Sequence, residues 1–240
     1  MIPADLLTKY GLREADALEA IESAITRILS RSLRSNISVR LNGRLEITMF
    51  PLNGEPVDLP PGEINRKLQR HILHNIELEL QKRQALREAE ELEELRGKSL
   101  PGEISRIADD GTLHVDLEIV DLFHRIILAG ECPNRYQPPH EKGRYQVGEV
   151  REFFVSSILP IVVNGRSART RIRLSRITKE LPALLLQERT GIYGIECQRR
   201  VAGGFSNIIT PARLPKEAIN QVGKELGEHL NVSISQTAKK

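Results

Sequence analysis

Two hydrophobic patterns follow one another in the N-terminal part of the chain. Over residues 12–33, apolar residues recur with a period near 3.6, which predicts an amphipathic helix with one buried face. The next segment, NISVRLNGRLEITMF, alternates apolar and polar residues on both sides of an Asn-Gly pair, which predicts a β-hairpin. A two-residue turn would set Leu41 opposite Arg44 and put the apolar rows on opposite faces. We therefore expect a three-residue loop or a bulge.

A longer helical pattern follows a Pro- and Gly-rich stretch at 51–62. Apolar residues step by four from Ile64 to Leu80, and neither Pro nor Gly interrupts the chain until Gly97. The pattern predicts one helix about 50 Å long. Because its C-terminal half is charged nearly all round, we expect that half to protrude or to bridge to a second domain as a spacer.

Beyond this helix the chain changes to short alternating runs separated by turn residues. Five such runs in 98–176 predict a small β-barrel. A short helix at 179–189 and then the order strand, strand, helix, strand complete the chain. We therefore expect a multidomain α+β protein in three parts: a helix and hairpin domain with the long helix at 1–97, a five-stranded barrel at 98–176, and a small α/β domain at 177–240.

Composition narrows the class of protein. Of 240 residues, 40% are hydrophobic and 28% charged, which is typical of a water-soluble globular chain. Aromatic residues make up only 4%, which favours small domains with Leu, Ile and Val cores. No stretch is apolar enough to span a bilayer, and the first residues lack an export pattern, so we expect a cytoplasmic protein with no membrane partner. Cys132 and Cys197 are far apart and form no CxxC motif.

Arginines gather on the last strand of the predicted barrel. Arg169, Arg171 and Arg173 alternate with apolar or small residues, so they share one strand face. Their spacing of about 6.8 Å is close to the phosphate repeat of an extended single strand. Arg166 and Arg176 extend the row, which predicts a track for RNA phosphates. The alternative is a solvated outer strand face.

Other residues add to the predicted RNA contacts. Arg199 and Arg200 lie in the following domain and supply two more cations. Phe123 and His124 precede the third barrel strand and are candidate stacking platforms for bases. Core or edge packing is the alternative role for these two rings.

Catalytic and metal-binding patterns are weak. His71, His74 and Glu77 lie on nearby turns of the long helix, but no matching ligands occur elsewhere, so a solvated face is the favoured interpretation. Cys132 and His140 lack a third orienting group for nucleophilic catalysis. No GxxxxGK[ST], GxGxxG or GxSxG occurs. We expect neither an enzyme nor a cofactor or metal.

The order of elements resembles the bacterial transcription elongation factor NusA family over nearly the whole chain. Three stretches are similar to that family: LREADALEAIESAITRIL to its opening helix, LQKRQALREAEELEELRGKSLPGEI to the helix that enters the barrel, and RTRIRLSRITKELPALLLQER to the last strand and linker. The resemblance implies an OB-fold barrel of the ribosomal S-one type and a following KH unit. It also implies an N-terminal domain that docks on RNA polymerase, while the barrel and KH unit meet the emerging RNA.

The sequence departs from this family at its KH unit. A KH domain grips nucleotides through a GXXG loop between two helices. Here only PARLP separates the strand FSNIIT from the helix KEAINQVGKELG, so that loop and one helix are missing. Within the 240 residues we expect no second KH unit and an N-terminal domain shorter than in that family.

Two functions follow from the resemblance and from these departures. We expect a NusA-like elongation, termination or antitermination factor that binds RNA polymerase through 1–97 and contacts nascent single-stranded RNA weakly. The alternative is a protein-interaction adaptor that binds no RNA, such as a competitor or paralogue of the host factor encoded by a phage or mobile element.

Overall fold

A computed structural model describes residues 9–51, 53–120 and 125–235, which form a mixed α/β structure. Its α-helices are α1 (Glu14–Leu33), α2 (Arg66–Leu92), α3 (Leu181–Thr190) and α4 (Lys216–Leu226). Its strands are β1 (Asn36–Leu41), β2 (Leu45–Phe50), β3 (Val57–Asp58), β4 (Ser99–Ile107), β5 (Leu113–Val120), β6 (Arg125–Cys132), β7 (Val150–Val163), β8 (Ser167–Ser175), β9 (Glu196–Val201), β10 (Phe205–Thr210) and β11 (His229–Ile234). None of the described helices combines the length and the apolar character needed to cross a bilayer.

Contacts divide the chain into two compact units. The first contains the described residues up to Glu91 together with Leu159–Thr170. The second contains Leu92–Ile158 and the described residues from Arg171 onward.

In the first unit, α1 packs on the sheet formed by β1, β2 and β3. Val39 pairs with Ile47, and Leu41 pairs with Leu45, so three residues form the hairpin loop. This register confirms the expected three-residue loop. Since the loop has an odd length, the apolar residues of both strands lie on one face, where Val39 and Ile47 join the core under α1.

The long helix α2 also belongs mainly to the first unit. The side chain of Asn65 caps its first turn by accepting a hydrogen bond from the Leu68 amide at 2.8 Å. With 27 residues it is about 40 Å long. Of the two alternatives for its C-terminal half, protrusion is wrong, because Ala85 is buried and its carbonyl accepts a hydrogen bond from Thr170 Oγ1 at 2.9 Å. The segment Leu159–Thr170 covers this half of the helix within the same unit.

Five strands between Ser99 and Ser175 confirm the predicted set, and they close into a barrel in the order β4-β5-β6-β8-β7. The β6–β8 pair is parallel, whereas β4 pairs antiparallel with β5 and β7. Two strand glycines allow the interior to pack tightly. A Cβ on Gly102 would collide with Val115, and one on Gly130 would collide with Leu174, so the strands can approach only where no side chain is present.

A second small sheet in the same unit has the order β11-β10-β9. β10 pairs antiparallel with β9 and parallel with β11, and the core beneath the sheet contains residues of α3 and α4. Residues 211–215 join β10 directly to α4. The predicted order of strand, strand, helix and strand is therefore confirmed.

Candidate nucleic-acid interface

Strand β8 places two of the predicted arginines on the outside of the barrel. Ile172 and Leu174 are buried in the barrel, whereas the alternating Arg171 and Arg173 are half-buried and face outward. Parallel pairing sets Glu131 of β6 beside Arg173. The positive charge of Arg173 therefore has an acidic neighbour.

Two guanidinium groups lie close to the ring of Tyr136. The guanidinium carbon of Arg135 is 4.9 Å from the ring centroid, and that of Arg173 is 5.9 Å from it. Both distances are within the range of a cation–π contact. We call Arg135, Tyr136, Arg171 and Arg173 the barrel patch.

Backbone and side-chain hydrogen bonds fix the turn that carries Tyr136. Its carbonyl accepts a hydrogen bond from the Arg176 amide at 2.9 Å. The neighbouring Gln137 side chain donates to the carbonyls of Gly111 and Cys132 at 2.8 and 3.0 Å. The ring of Tyr136 is therefore held against β8 by contacts that need no ligand.

The prediction that Arg176 contacts RNA is wrong. Its side chain is completely buried, and it forms ion pairs with Glu141 and Glu225. Although burial lowers the pKa of Arg176, the hydrogen bond and charge of Glu141 outweigh this effect and raise it. Arg176 lies three positions after Arg173, so the alternation of β8 places it on the same side as the buried Ile172 and Leu174 and not on the side of Arg173.

Arg200 is also unavailable to RNA, which corrects the expectation for this residue. Its side chain is 2% exposed, and its Nη2 donates to Glu228 Oε1 at 2.7 Å. The same carboxylate accepts hydrogen bonds from Ser206 Oγ and from the Gly203 amide. Arg200 thus closes a buried polar cluster at the end of β9.

The remaining predicted residues are dispersed. Arg166 and Arg169 are exposed and belong to the first unit, whereas the barrel patch belongs to the second. Arg199 is exposed on β9, and its guanidinium carbon is 5.7 Å from the centroid of the Phe205 ring. Phe123 and His124 lie outside the described residues.

Another part of the barrel surface has the opposite charge. Glu103 of β4 pairs with Asp116 of β5, and both are exposed together with Glu118. Three carboxylates on neighbouring positions repel a polyanion. The outer side of β8, by contrast, carries Arg171 and Arg173.

Sequence reasoning missed Arg135 and Tyr136. The available signal was an adjacent Arg-Tyr pair in the turn CPNRYQPP, between the third and fourth barrel strands. Nothing local indicated that this turn folds back onto β8. Among the described residues, no group of three or more His, Cys, Asp or Glu side chains is arranged to hold a metal ion.

No protein-family model matches the chain, and no curated protein sequence matches it.

Proposed function

We propose that this protein is a NusA-like transcription factor that contacts nascent single-stranded RNA weakly through the barrel patch. In this proposal it docks on RNA polymerase through residues 1–97, acts in the cytoplasm and is not an enzyme. The observation that carries the RNA contact is the ring of Tyr136, whose centroid lies 4.9 Å from the guanidinium carbon of Arg135 and 5.9 Å from that of Arg173. An aromatic ring among cations combines stacking on bases with attraction to phosphates.

The topology of the second unit supports an OB-type barrel. Its strand order corresponds to 1-2-3-5-4 in a five-stranded barrel, and the third and fifth strands are parallel. This arrangement agrees with the five-stranded Greek-key barrel of an OB-fold. The small sheet with α4 would then be the remnant of a KH unit, which gives the three-part division at 1–97, 98–176 and 177–240.

Salt dependence of RNA binding tests the barrel patch. Three arginines that engage phosphates of a single strand give a log-log slope of roughly −2. Fluorescence anisotropy with a labelled RNA of about 12 nucleotides, between about 50 and 200 mM salt, measures that slope. Arg171→Ala and Arg173→Ala should each weaken binding and flatten the slope. Arg40→Ala is the control, because Arg40 is an exposed strand arginine of the first unit. Equal slopes for all variants would contradict the proposal.

The adaptor function remains the second candidate because two of the predicted RNA-binding arginines are locked in internal ion pairs. An adaptor that binds no RNA would co-purify with RNA polymerase and would retain no RNA at about 50 mM salt. A gel-shift series beside a polymerase pull-down separates the two functions.

A further inference from the structure

Among the described residues, the helices whose side chains share a core with the small sheet of the second unit are α3 and α4, on one of its two faces. Ser206, Ile208 and Thr210 of β10 are buried toward α3 and α4, while the alternating Phe205, Asn207 and Ile209 are only half-buried. The strand pairing arranges the other face in three rows. We call this the open face: Val201, Phe205 and His229; Arg199, Asn207 and Asn231; Glu196, Ile209 and Ser233.

The first feature of the open face is a stacked pair. The guanidinium carbon of Arg199 lies 5.7 Å from the Phe205 ring centroid. Phe205 stands between the exposed Val201 and His229 in its own row. Unpaired bases stack on aromatic rings and on guanidinium planes, so this pair offers a planar surface of the kind that a base occupies.

The second feature is a pair of side-chain amides in the next row. Asn231 Nδ2 donates to Asn207 Oδ1 at 3.1 Å. This bond leaves the amide nitrogen of Asn207 and the amide oxygen of Asn231 without a hydrogen-bond partner among the described residues. The pair thus offers one donor and one acceptor, and exchanging O and N in both amides preserves that set. The edge of a base presents the complementary set of groups.

Charge and apolar area favour a base over other ligands. Arg199 is the only Lys or Arg of the open face, and Glu196 opposes it, so the face attracts phosphates weakly. Val201 is 46% exposed, but amides and charged groups separate it from Ile209, so no continuous apolar surface is available for a protein partner.

We infer that the open face binds an unpaired RNA base, which stacks on Phe205 and Arg199 and forms hydrogen bonds with Asn207 and Asn231. The choice of RNA as the polymer rests on the proposed function. The site itself shares no residue with the barrel patch, and it would supply base contacts that the missing GXXG loop cannot supply.

Anisotropy titrations with two ligands test this inference on the full chain. One ligand is a labelled single-stranded oligo(A) of about 12 nucleotides, and the other is a sugar-phosphate chain of the same length without bases. Phe205→Leu removes the aromatic ring and keeps most of its volume, while Phe205→Tyr keeps the ring. Arg173→Ala is the control for the barrel patch.

We expect Phe205→Leu to weaken oligo(A) binding by about fivefold to a hundredfold, to leave binding of the base-free chain unchanged, and to leave the salt slope unchanged. Phe205→Tyr should bind like the wild type. Arg173→Ala should weaken binding of both ligands. Ultraviolet crosslinking of oligo(A) to a peptide of β10 provides a second measurement that does not depend on a variant.

The outcomes separate the two proposals. Unchanged oligo(A) affinity in Phe205→Leu, beside a loss in Arg173→Ala, would overturn the open-face site and leave the barrel patch intact. A loss in Phe205→Leu alone would support the open face and contradict the barrel patch. Equal losses of both ligands in Phe205→Leu, or a wild-type chain that binds neither, would overturn the open-face site.

Discussion

The guanidinium of Arg176 forms a two-pronged ion pair with the carboxylate of Glu141, in which Nε lies 2.8 Å from Oε2 and Nη2 lies 2.7 Å from Oε1. Its Nη1 donates to Glu225 Oε1 at 3.0 Å and to the Glu152 carbonyl at 2.8 Å. Glu141 lies in the connection between β6 and β7, and Glu225 lies on α4. One buried side chain therefore links the barrel to the helix beneath the small sheet.

Replacing Arg176 should strongly destabilise the fold. Arg176→Ala removes the buried guanidinium that pairs with the largely buried carboxylates of Glu141 and Glu225, and breaking a buried pair in this way costs about 3 to 5 kcal/mol. The free energy of unfolding from urea denaturation measures the effect. Arg173→Ala, which removes an arginine and its cation–π contact from the outer side of β8, should change it by no more than about 1 kcal/mol. Similar losses in both variants would contradict a special role for the buried pair.

Glu152→Gln should stabilise the protein at neutral pH. Burial and the nearby carboxylates of Glu188 and Glu225 raise the pKa of Glu152. Its Oε2 is buried without a hydrogen-bond partner among the described residues. Removing the charge should raise the free energy of unfolding by about 1 kcal/mol at about pH 7. The effect is small because solvent screens the charge of a partly buried group.

The pH dependence gives this prediction its sign. A raised pKa means that the native state binds the proton at a higher pH than the unfolded state does. As the pH falls from that raised pKa to the ordinary value of 4.5, the native carboxyl of the wild type takes up a proton and becomes neutral. The difference in free energy of unfolding between Glu152→Gln and the wild type therefore shrinks over this range and disappears at its lower end. Urea denaturation at several pH values follows the difference, with the exposed Glu103→Gln as control. A gain that persists at low pH would rule out the charge as its cause.

Gly203 should tolerate alanine much less well than Gly143. Both have a left-handed backbone, with φ of +80° and +73°, so alanine strains both by about 1 kcal/mol. A Cβ on Gly203 would also collide with the His140 ring, whereas one on Gly143 meets nothing within 4 Å. The thermal midpoint should fall further for Gly203→Ala. Adding His140→Ala should recover part of that loss, and strict additivity of the two changes would contradict the collision.

Neither thiol should react in the native protein. Burial raises the pKa of Cys132 to about 12 and also raises that of Cys197. At about pH 8 a colorimetric thiol reagent should find no reactive thiolate in the folded chain and two after denaturation in guanidinium. If the native chain immediately released one equivalent of chromophore from the reagent, a cysteine would be accessible.

Local pattern was sufficient for most of the secondary structure. The period of two in the barrel strands and the odd loop between β1 and β2 follow from which residues must face a core, and the register agrees with that requirement. The α2 pattern correctly indicated one long helix, but it did not indicate that Leu159–Thr170 packs against the C-terminal half of that helix. Thr170, which donates to the Ala85 carbonyl, is 85 residues away along the chain, and no periodicity indicates such a contact.

The sequence by itself determined the order of elements, the hairpin parity and the outward face of β8, because each depends on residues a few positions apart. Only the tertiary structure decided which arginines are available to a ligand. Arg173 and Arg176 are three positions apart and chemically identical, yet the carboxylates that bury Arg176 come from 35 and 49 residues away. The same folding brings Tyr136 against Arg173. These neighbours are distant in sequence and meet only when the chain folds. The sequence therefore predicts the charge of an arginine but not the partners that surround it.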